Sequence, residues 1–351
     1  MKDLRKLKIA YSPYDNFKDY PGDRRRFLFY TNTRNINYEI YNPSKNYDLV
    51  FLSEASDIGI AEKLYKTETK VIRECINSYY LEHNNSKDIF RGLAKFLTGR
   101  SKKLYLNYSK SLRKLIRQVD AVTCASKEQA NQLSSFAKNI HIIPDVFNNE
   151  QINMKEDYSI GNTINIAWEG LGSNAYQLNY LNKVLEKFSK KNKFILHIIT
   201  DKYHFKHMNK FGKISTLETI NKISAPIKFH EWDKTTYSKI LTECDIAIIP
   251  ININSQIALG KPENKLIHFW KMGIPTLTYA TSSYDRVMKD AEINLSCKTD
   301  DDWIEKLGQL SADSILREKL ASKAKSYAEK YYSEQAVLEK WDLLFRSILQ
   351  D

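Results

Sequence analysis

The sequence predicts two α/β domains, each a doubly wound parallel sheet, followed by a helical C-terminus. Three observations point there. Short apolar runs alternate with helical stretches of about ten to fifteen residues in both halves of the chain, the pattern of βαβ units. A polar interval, 148–162, separates the halves. The length of 351 residues exceeds one ordinary core and suits two domains of about 150 to 200 residues.

In the first half, strands are expected at Leu7–Tyr11, Tyr47–Leu52, Lys70–Arg73, Asp120–Cys124 and Ile140–Ile143. Alternating with helices, these short strands indicate a parallel sheet with helices on both faces. Phe27–Tyr30 fits helix or strand, Ile58–Tyr65 a short helix, and Ser126 caps a helix opening Lys127-Glu128-Gln129. The second half repeats the scheme, with strands at Ile164–Trp168, Phe194–Thr200, Ile227–His230, Asp245–Pro250 and Thr276–Tyr279. Helices are expected between them near Gln177–Lys190, Thr235–Glu243 and Glu263–Met272. Beyond Asp300 the chain is helical, and Ser333 caps a last helix with apolar residues Val337, Trp341, Leu344, Phe345 and Ile348 on one stripe. That stripe needs a partner surface, for which the first domain is the candidate. The expected divisions are 1–155, 156–332 and 333–351.

Hydrophobic residues make up 42% of the chain, enough for a core in each half. No apolar run reaches the roughly 18 residues of a membrane span, and the N-terminus lacks the apolar stretch of a signal peptide. A soluble or peripheral, intracellular protein is therefore expected. Cys75, Cys124, Cys244 and Cys297 have no paired spacing, which argues for packing roles over disulfides or zinc. The formal net charge of +12 favours an anionic partner. Much of it lies in residues 87–117, where ten Lys or Arg face a single acid, Asp88, and apolar residues are interleaved at helical spacing. Such a segment either lies on an anionic bilayer or packs its apolar stripe on its own domain. No nucleic-acid-binding motif is found, so nucleic acid is not an expected partner.

The most informative stretch runs from Leu259 through Lys261-Pro262-Glu263-Asn264-Lys265 to Gly273-Ile274-Pro275. It follows the strand Asp245–Pro250, crosses a polar loop, opens a helix at Pro262 and closes it at Gly273 before the next strand. A unit of this kind sets a helix N-terminus, with its outward amides and positive dipole end, at the carboxyl edge of a parallel sheet, where phosphate groups bind. Lys261 and Lys265 add formal charge. A second glycine turn, Trp168-Glu169-Gly170-Leu171-Gly172-Ser173-Asn174, ends the first strand of this half, where Gly170 and Gly172 permit close backbone approach and Ser173 and Asn174 can cap the next helix. Simple turn chemistry explains the same residues.

These elements resemble a glycosyltransferase of the two-domain GT-B type, similar to bacterial enzymes of capsule, lipopolysaccharide and other surface glycan synthesis. The resemblance is specific in the second half, in the Asp-apolar-Pro strand, the Lys261-Pro262-Glu263-Asn264-Lys265 turn and Gly273-Ile274-Pro275. It implies two Rossmann-like domains facing a cleft, with the final helix crossing back to the N-terminal domain. It also implies a nucleotide-sugar donor, a glycan or lipid-linked acceptor, and no metal or other cofactor. Lys261, Lys265 and the Asn264 amide would face phosphate, and Glu263 a ribose or sugar hydroxyl. One departure stands out. Many retaining members carry two glutamates whose places here hold Gly260 and His268, so retention of configuration is not implied.

Trp232, near Phe229–Asp233, would stack on the base or simply cover a strand end. If the reaction inverts, the first domain must supply a base for the acceptor hydroxyl. Asp23 leads, with Glu54 and Asp57 as alternatives, and Arg24, Arg25 and Arg26 would grip an acceptor phosphate by forked contacts. Asp23 fits equally as a helix cap that neutralises an arginine. His83 and His230 have no partner visible in sequence. Two rivals remain: a sugar-nucleotide epimerase or other transferase on the same double fold, and a noncatalytic anionic-polymer binder.

Overall fold

The computed structural model describes residues 3–14, 20–81, 85–147, 152–207 and 211–349. The chain divides into two compact units, the first comprising 1–147, 260–262 and 332–351, the second 148–259 and 263–331.

The first unit is built on a six-stranded sheet of β1 Ile9–Ser12, β2 Glu39–Ile40, β3 Leu49–Leu52, β4 Lys70–Glu74, β5 Ala121–Cys124 and β6 Ile140–Ile142. The strand order is β2-β1-β3-β4-β5-β6, all parallel. The chain winds outward in opposite directions from β1, so the order reverses between β1 and β3. Phe27–Thr33, readable from sequence as helix or strand, is helix. β2 is a two-residue edge strand without an apolar run, and sequence gave no signal for it.

One face of this sheet is covered by the last helix, Glu334–Leu349. Its stripe Val337, Trp341, Leu344, Phe345 and Ile348 is buried in one cluster with Tyr11, Phe27, Tyr30 and Phe51. The Trp341 ring stacks on Tyr30 at 5.4 Å and meets Phe51 at 5.6 Å. Ser333 caps the helix, its hydroxyl accepting from the Ala336 amide at 3.3 Å. Arg34 ties it further through an ion pair with Asp342 at 2.6 Å.

The second unit holds β7 Ile164–Glu169, β8 Phe194–Thr200, the hairpin β9 Tyr203–His207 and β10 Phe211–Ser215, then β11 Ile227–Glu231, β12 Ile246–Ile249, β13 Thr276–Tyr279 and β14 Ser296–Cys297. The order of its main sheet is β11-β8-β7-β12-β13-β14, all parallel, so the reversal falls between β7 and β12. The antiparallel hairpin was not expected, because Tyr203–Ser215 mixes Lys, His and aromatics without clean alternation. The four cysteines are buried thiols, consistent with packing roles.

The basic stretch forms two helices, Asn85–Leu97 and Tyr108–Ile116. The second buries Leu112, Leu115 and Ile116. The first leaves Ile89, Phe90, Leu93, Phe96 and Leu97 exposed. The apolar stripe of the second helix therefore packs on its own domain, and that of the first does not. Among the described residues, no helix is long and apolar enough to cross a membrane.

Candidate functional site

Ligands of doubly wound sheets sit beyond the carboxyl ends of the strands, at the point where the order reverses. In the second unit that point lies between β7 and β12, and the loops leaving both strands carry the residues singled out above. After β12 a four-residue helix, Gln256–Leu259, interrupts the loop, and the expected helix then begins at Asn264, later than expected, because Pro262 and Glu263 lie before its first turn. It ends at Lys271, and Gly273 follows with φ of +73°, a left-handed stop that favours glycine.

Glu263 occupies the N-cap position, yet its side chain makes no capping hydrogen bond. It is 2% exposed, and its carboxylate accepts from Arg286 at 2.8 Å. Lys265 crosses to the neighbouring strand, where its ammonium donates to the Glu169 carbonyl and lies 5.1 Å from the Trp168 ring centroid. A Cβ on Gly170 would collide with that ammonium and crowd the Trp168 ring. Gly170 thus keeps the end of β7 open to Lys265, and the first-turn amides of helix 264–271 project from the same end of the sheet. Lys261 belongs to segment 260–262 of the first unit, where the Gly260 carbonyl accepts from Gln129 at 3.1 Å.

Gly172 serves the fold. Its amide donates to Asp201 at 3.2 Å, and a Cβ there would strike Thr216 and His204, which belongs to β9. Ser173 is exposed and does not cap; the run Gly172–Leu181 is a 3-10 helix whose N-cap position is Leu171. Trp232 uses its amide on the Thr200 carbonyl at 3.0 Å. Its ring stacks on Tyr237 at 5.4 Å, and Tyr237 in turn stacks on His268 of helix 264–271 at 5.8 Å.

In the first unit, Asp23 and Glu54 follow β1 and β3, the two strands that flank the reversal. Asp23 is fully buried, and its carboxylate accepts from the Tyr11 hydroxyl and, at 2.9 Å, from the Tyr14 amide. It does not cap the short helix Pro21–Arg24 that contains it. Burial and the nearby Glu74 and Asp23 carboxylates push the Tyr11 hydroxyl far above the usual tyrosine range. Glu54 accepts from both the amide and the side chain of Asn77, and burial raises its pKa against those two bonds. Asp57 caps helix Ile58–Leu64 through the Gly59 amide at 3.0 Å and also holds Ser101 and the Lys102 amide. That arrangement assigns Asp57 to local structure.

Arg26 is 1% exposed and paired with Glu74, Asp145 and the Ile143 carbonyl. An internal guanidinium so engaged does not reach out to an acceptor phosphate. Arg25 lies over the Phe147 ring at 4.6 Å, and Arg24 is half-buried. Glu74, at the end of β4 and also 1% exposed, was missed from sequence, since one Glu closing an apolar strand looks like a boundary residue. His230 does have a partner, stacked on His197 at 5.2 Å. His83 lies outside the described residues. Among the described residues, no three His, Cys, Asp or Glu side chains form a metal-binding group.

No sequence-family model and no curated protein matches the chain. Solved structures do. TarM superposes with a TM-score of 0.61 at 15% identity, over 85% of this chain and 54% of TarM, so this chain spans about half of TarM's length. A glycosyltransferase from Rickettsia africae ESF-5 superposes with a TM-score of 0.60 at 13% identity, over 98% of both chains. The chain has the GT-B fold. WaaG, a glycosyltransferase involved in lipopolysaccharide biosynthesis, shares this GT-B architecture with a TM-score of 0.57 at 13% identity, over 96% of this chain and 99% of WaaG. At such identities the GT-B likeness speaks to architecture, and function must be argued from the residues.

Proposed function

We propose that the protein is a glycosyltransferase that moves a sugar from a nucleotide-sugar donor to a glycan or lipid-linked acceptor in bacterial surface polysaccharide synthesis. The observation that carries this reading is the placement of Lys265 against the end of β7, beside a helix N-terminus at the reversal point of the second sheet. The acceptor hydroxyl attacks the anomeric carbon as the bond to the nucleoside diphosphate breaks, and negative charge grows on the departing oxygen. Lys265 and the first-turn amides stabilise that charge without a metal ion. Glu263 holds a donor hydroxyl while Arg286 fixes the position of its carboxylate. Trp232, continuous with Tyr237 and His268, offers a ring to the base.

The first unit binds the acceptor. Asp23 and Glu54 are the carboxylates that would take its proton in an inverting reaction, and Arg24 and Arg25 are the cations left to hold a phosphate once Arg26 is assigned to the interior. The enzyme works as a peripheral protein at the cytoplasmic face of the membrane, where lipid-linked acceptors are extended. The S. aureus TarM variant solved in complex with Fondaparinux, alpha-GlcNAc-glycerol and UDP lends support by fold to the reading that this chain takes a nucleotide-linked donor.

The test is thermal denaturation with UDP, GDP, CMP and TDP in parallel. One nucleotide should raise the melting temperature selectively, since a ligand at one hundred times its Kd stabilises by about 2.7 kcal/mol. Indifference to all of them would sink the donor site. Isomerisation of a nucleotide sugar without acceptor would reassign the protein as an epimerase.

A further inference from the structure

Helix Asn85–Leu97 is mounted with its apolar side outward. Its inner stripe is polar or small: Asp88, 1% exposed, accepts from the Ser109 hydroxyl at 2.6 Å, and Lys95 donates to the Tyr108 hydroxyl at 2.7 Å. Between them Gly92 lies so close to the Tyr105 carbonyl that any Cβ would overlap it. Positions 88, 92 and 95 share one helix face, and they fix which side meets the protein. The other face presents Ile89, Phe90, Leu93, Phe96 and Leu97 to solvent, with Phe90 at 60% and Leu97 at 72% exposure. The loop that follows adds Leu104 and Leu106, the latter 62% exposed.

A water-soluble fold gains by turning such a face inward. This one is instead turned outward by a buried aspartate and a glycine, in a segment whose exposed charges are all of one sign. Lys102, Lys103, Lys110 and Lys114 of the same segment are exposed, Lys103 reaching Glu62 at 3.3 Å, and the single acid of segment 87–117 is the buried Asp88. A second copy would bring the same cations face to face and be repelled. A nucleic acid would meet the cations but leave the Leu and Phe row in water. An anionic bilayer satisfies both, because headgroups take the ammonium groups and the acyl boundary takes the apolar row.

We propose that helix 85–97 and loop 98–106 form a lipid-docking surface that lays Phe90, Leu93 and Leu97 into an anionic membrane. The inference rests on the membrane location proposed above for its biological sense, while its test needs no nucleotide. The full chain is sedimented with vesicles of phosphatidylcholine alone and of phosphatidylcholine mixed with phosphatidylglycerol. Two variants accompany it: the triple replacement Phe90→Ser, Leu93→Ser and Leu97→Ser, and the quadruple replacement of Lys102, Lys103, Lys110 and Lys114 by Gln. Because all seven side chains are exposed, both variants should melt like the parent.

Binding to the anionic vesicles alone, lowered about tenfold or more in each variant, is the expected result. The proposal is overturned if the parent stays in the supernatant, if neutral vesicles bind as well, or if the triple variant sediments like the parent. It is also overturned if sedimentation velocity shows the parent to be a dimer that the triple variant splits, since a second copy would then cover the face. A selective nucleotide shift retained in the triple variant would leave the donor reading intact whatever the vesicles show.

Discussion

The Lys265 ammonium donates to the main-chain carbonyl of Glu169 and so sets a cation from helix 264–271, reached from β12, at the end of neighbouring β7. Sequence places these residues 96 positions apart. The adjacency exists because the sheet reverses direction between those two strands.

Lys265→Ala should weaken nucleoside diphosphate binding by about 1.5 to 3 kcal/mol, the range for a hydrogen bond to a charged group, as read by titration calorimetry. Gly170→Ala should act in the same direction, because its methyl group would displace the ammonium. Unchanged affinity in both variants would remove Lys265 from the site.

Arg26 and Glu74 form an ion pair with both side chains 1% exposed. Removing one member of a buried pair costs about 3 to 5 kcal/mol when the other is left alone, and less here because Arg26 keeps Asp145 at 3.2 Å. Glu74→Gln should therefore lower the denaturant midpoint strongly. A loss below about 1 kcal/mol would return Arg26 to the list of acceptor ligands.

The Trp341 side chain is fully buried against Tyr30 and Phe51. Trp341→Ala should destabilise the protein by about 3 to 5 kcal/mol, measured by urea unfolding. A near-neutral effect would mean that the last helix contributes little to the first unit's core.

His197 and His230 stack with Nδ1 and Nε2 3.1 Å apart, while His197 also meets Asn165 at 3.0 Å. Burial, then His230 and Lys228, lower the His197 pKa from 6.5 to about 4. Burial and Lys228 lower His230 as well, against the pull of Glu243. A folded-state pKa below the unfolded value means that the unfolded chain takes up more protons between the two. The stabilisation is complete above the unfolded value and is lost as pH falls toward about 4. Partial solvent screening limits the effect to about 1 to 2 kcal/mol. Unfolding free energies from pH 7 downward should fall less steeply in His197→Gln; an identical slope would exclude the pair as its source.

Much of the architecture was legible because parallel strands buried on both faces leave uninterrupted apolar runs. β3 and β12 are such runs, β5, β8 and β13 keep the pattern around a Thr or His, and the Gly273 stop and the Ser126 and Ser333 caps were legible from residue type. The hairpin β9–β10 escaped because its strands mix charge and aromatics without alternation. In the site, Glu263, Asn264 and Lys265 stood out by their turn, whereas Glu74 gave no local signal and Arg26 looked like one of three equivalent arginines.

The order of apolar runs and turn residues by itself determined two doubly wound units and the strand-loop-helix element that holds Lys265. Periodicity also showed that helix 85–97 is amphipathic. Only tertiary structure decided that its apolar face points outward, that Arg26 is internal and that Asp57 is a cap. The physical reason is that hydrophobic pattern and capping chemistry act over a few residues. Which face is covered, or which charge is buried, depends on contacts such as Gly92 with Tyr105 and Arg26 with Glu74, which exist only once whole elements have packed against one another.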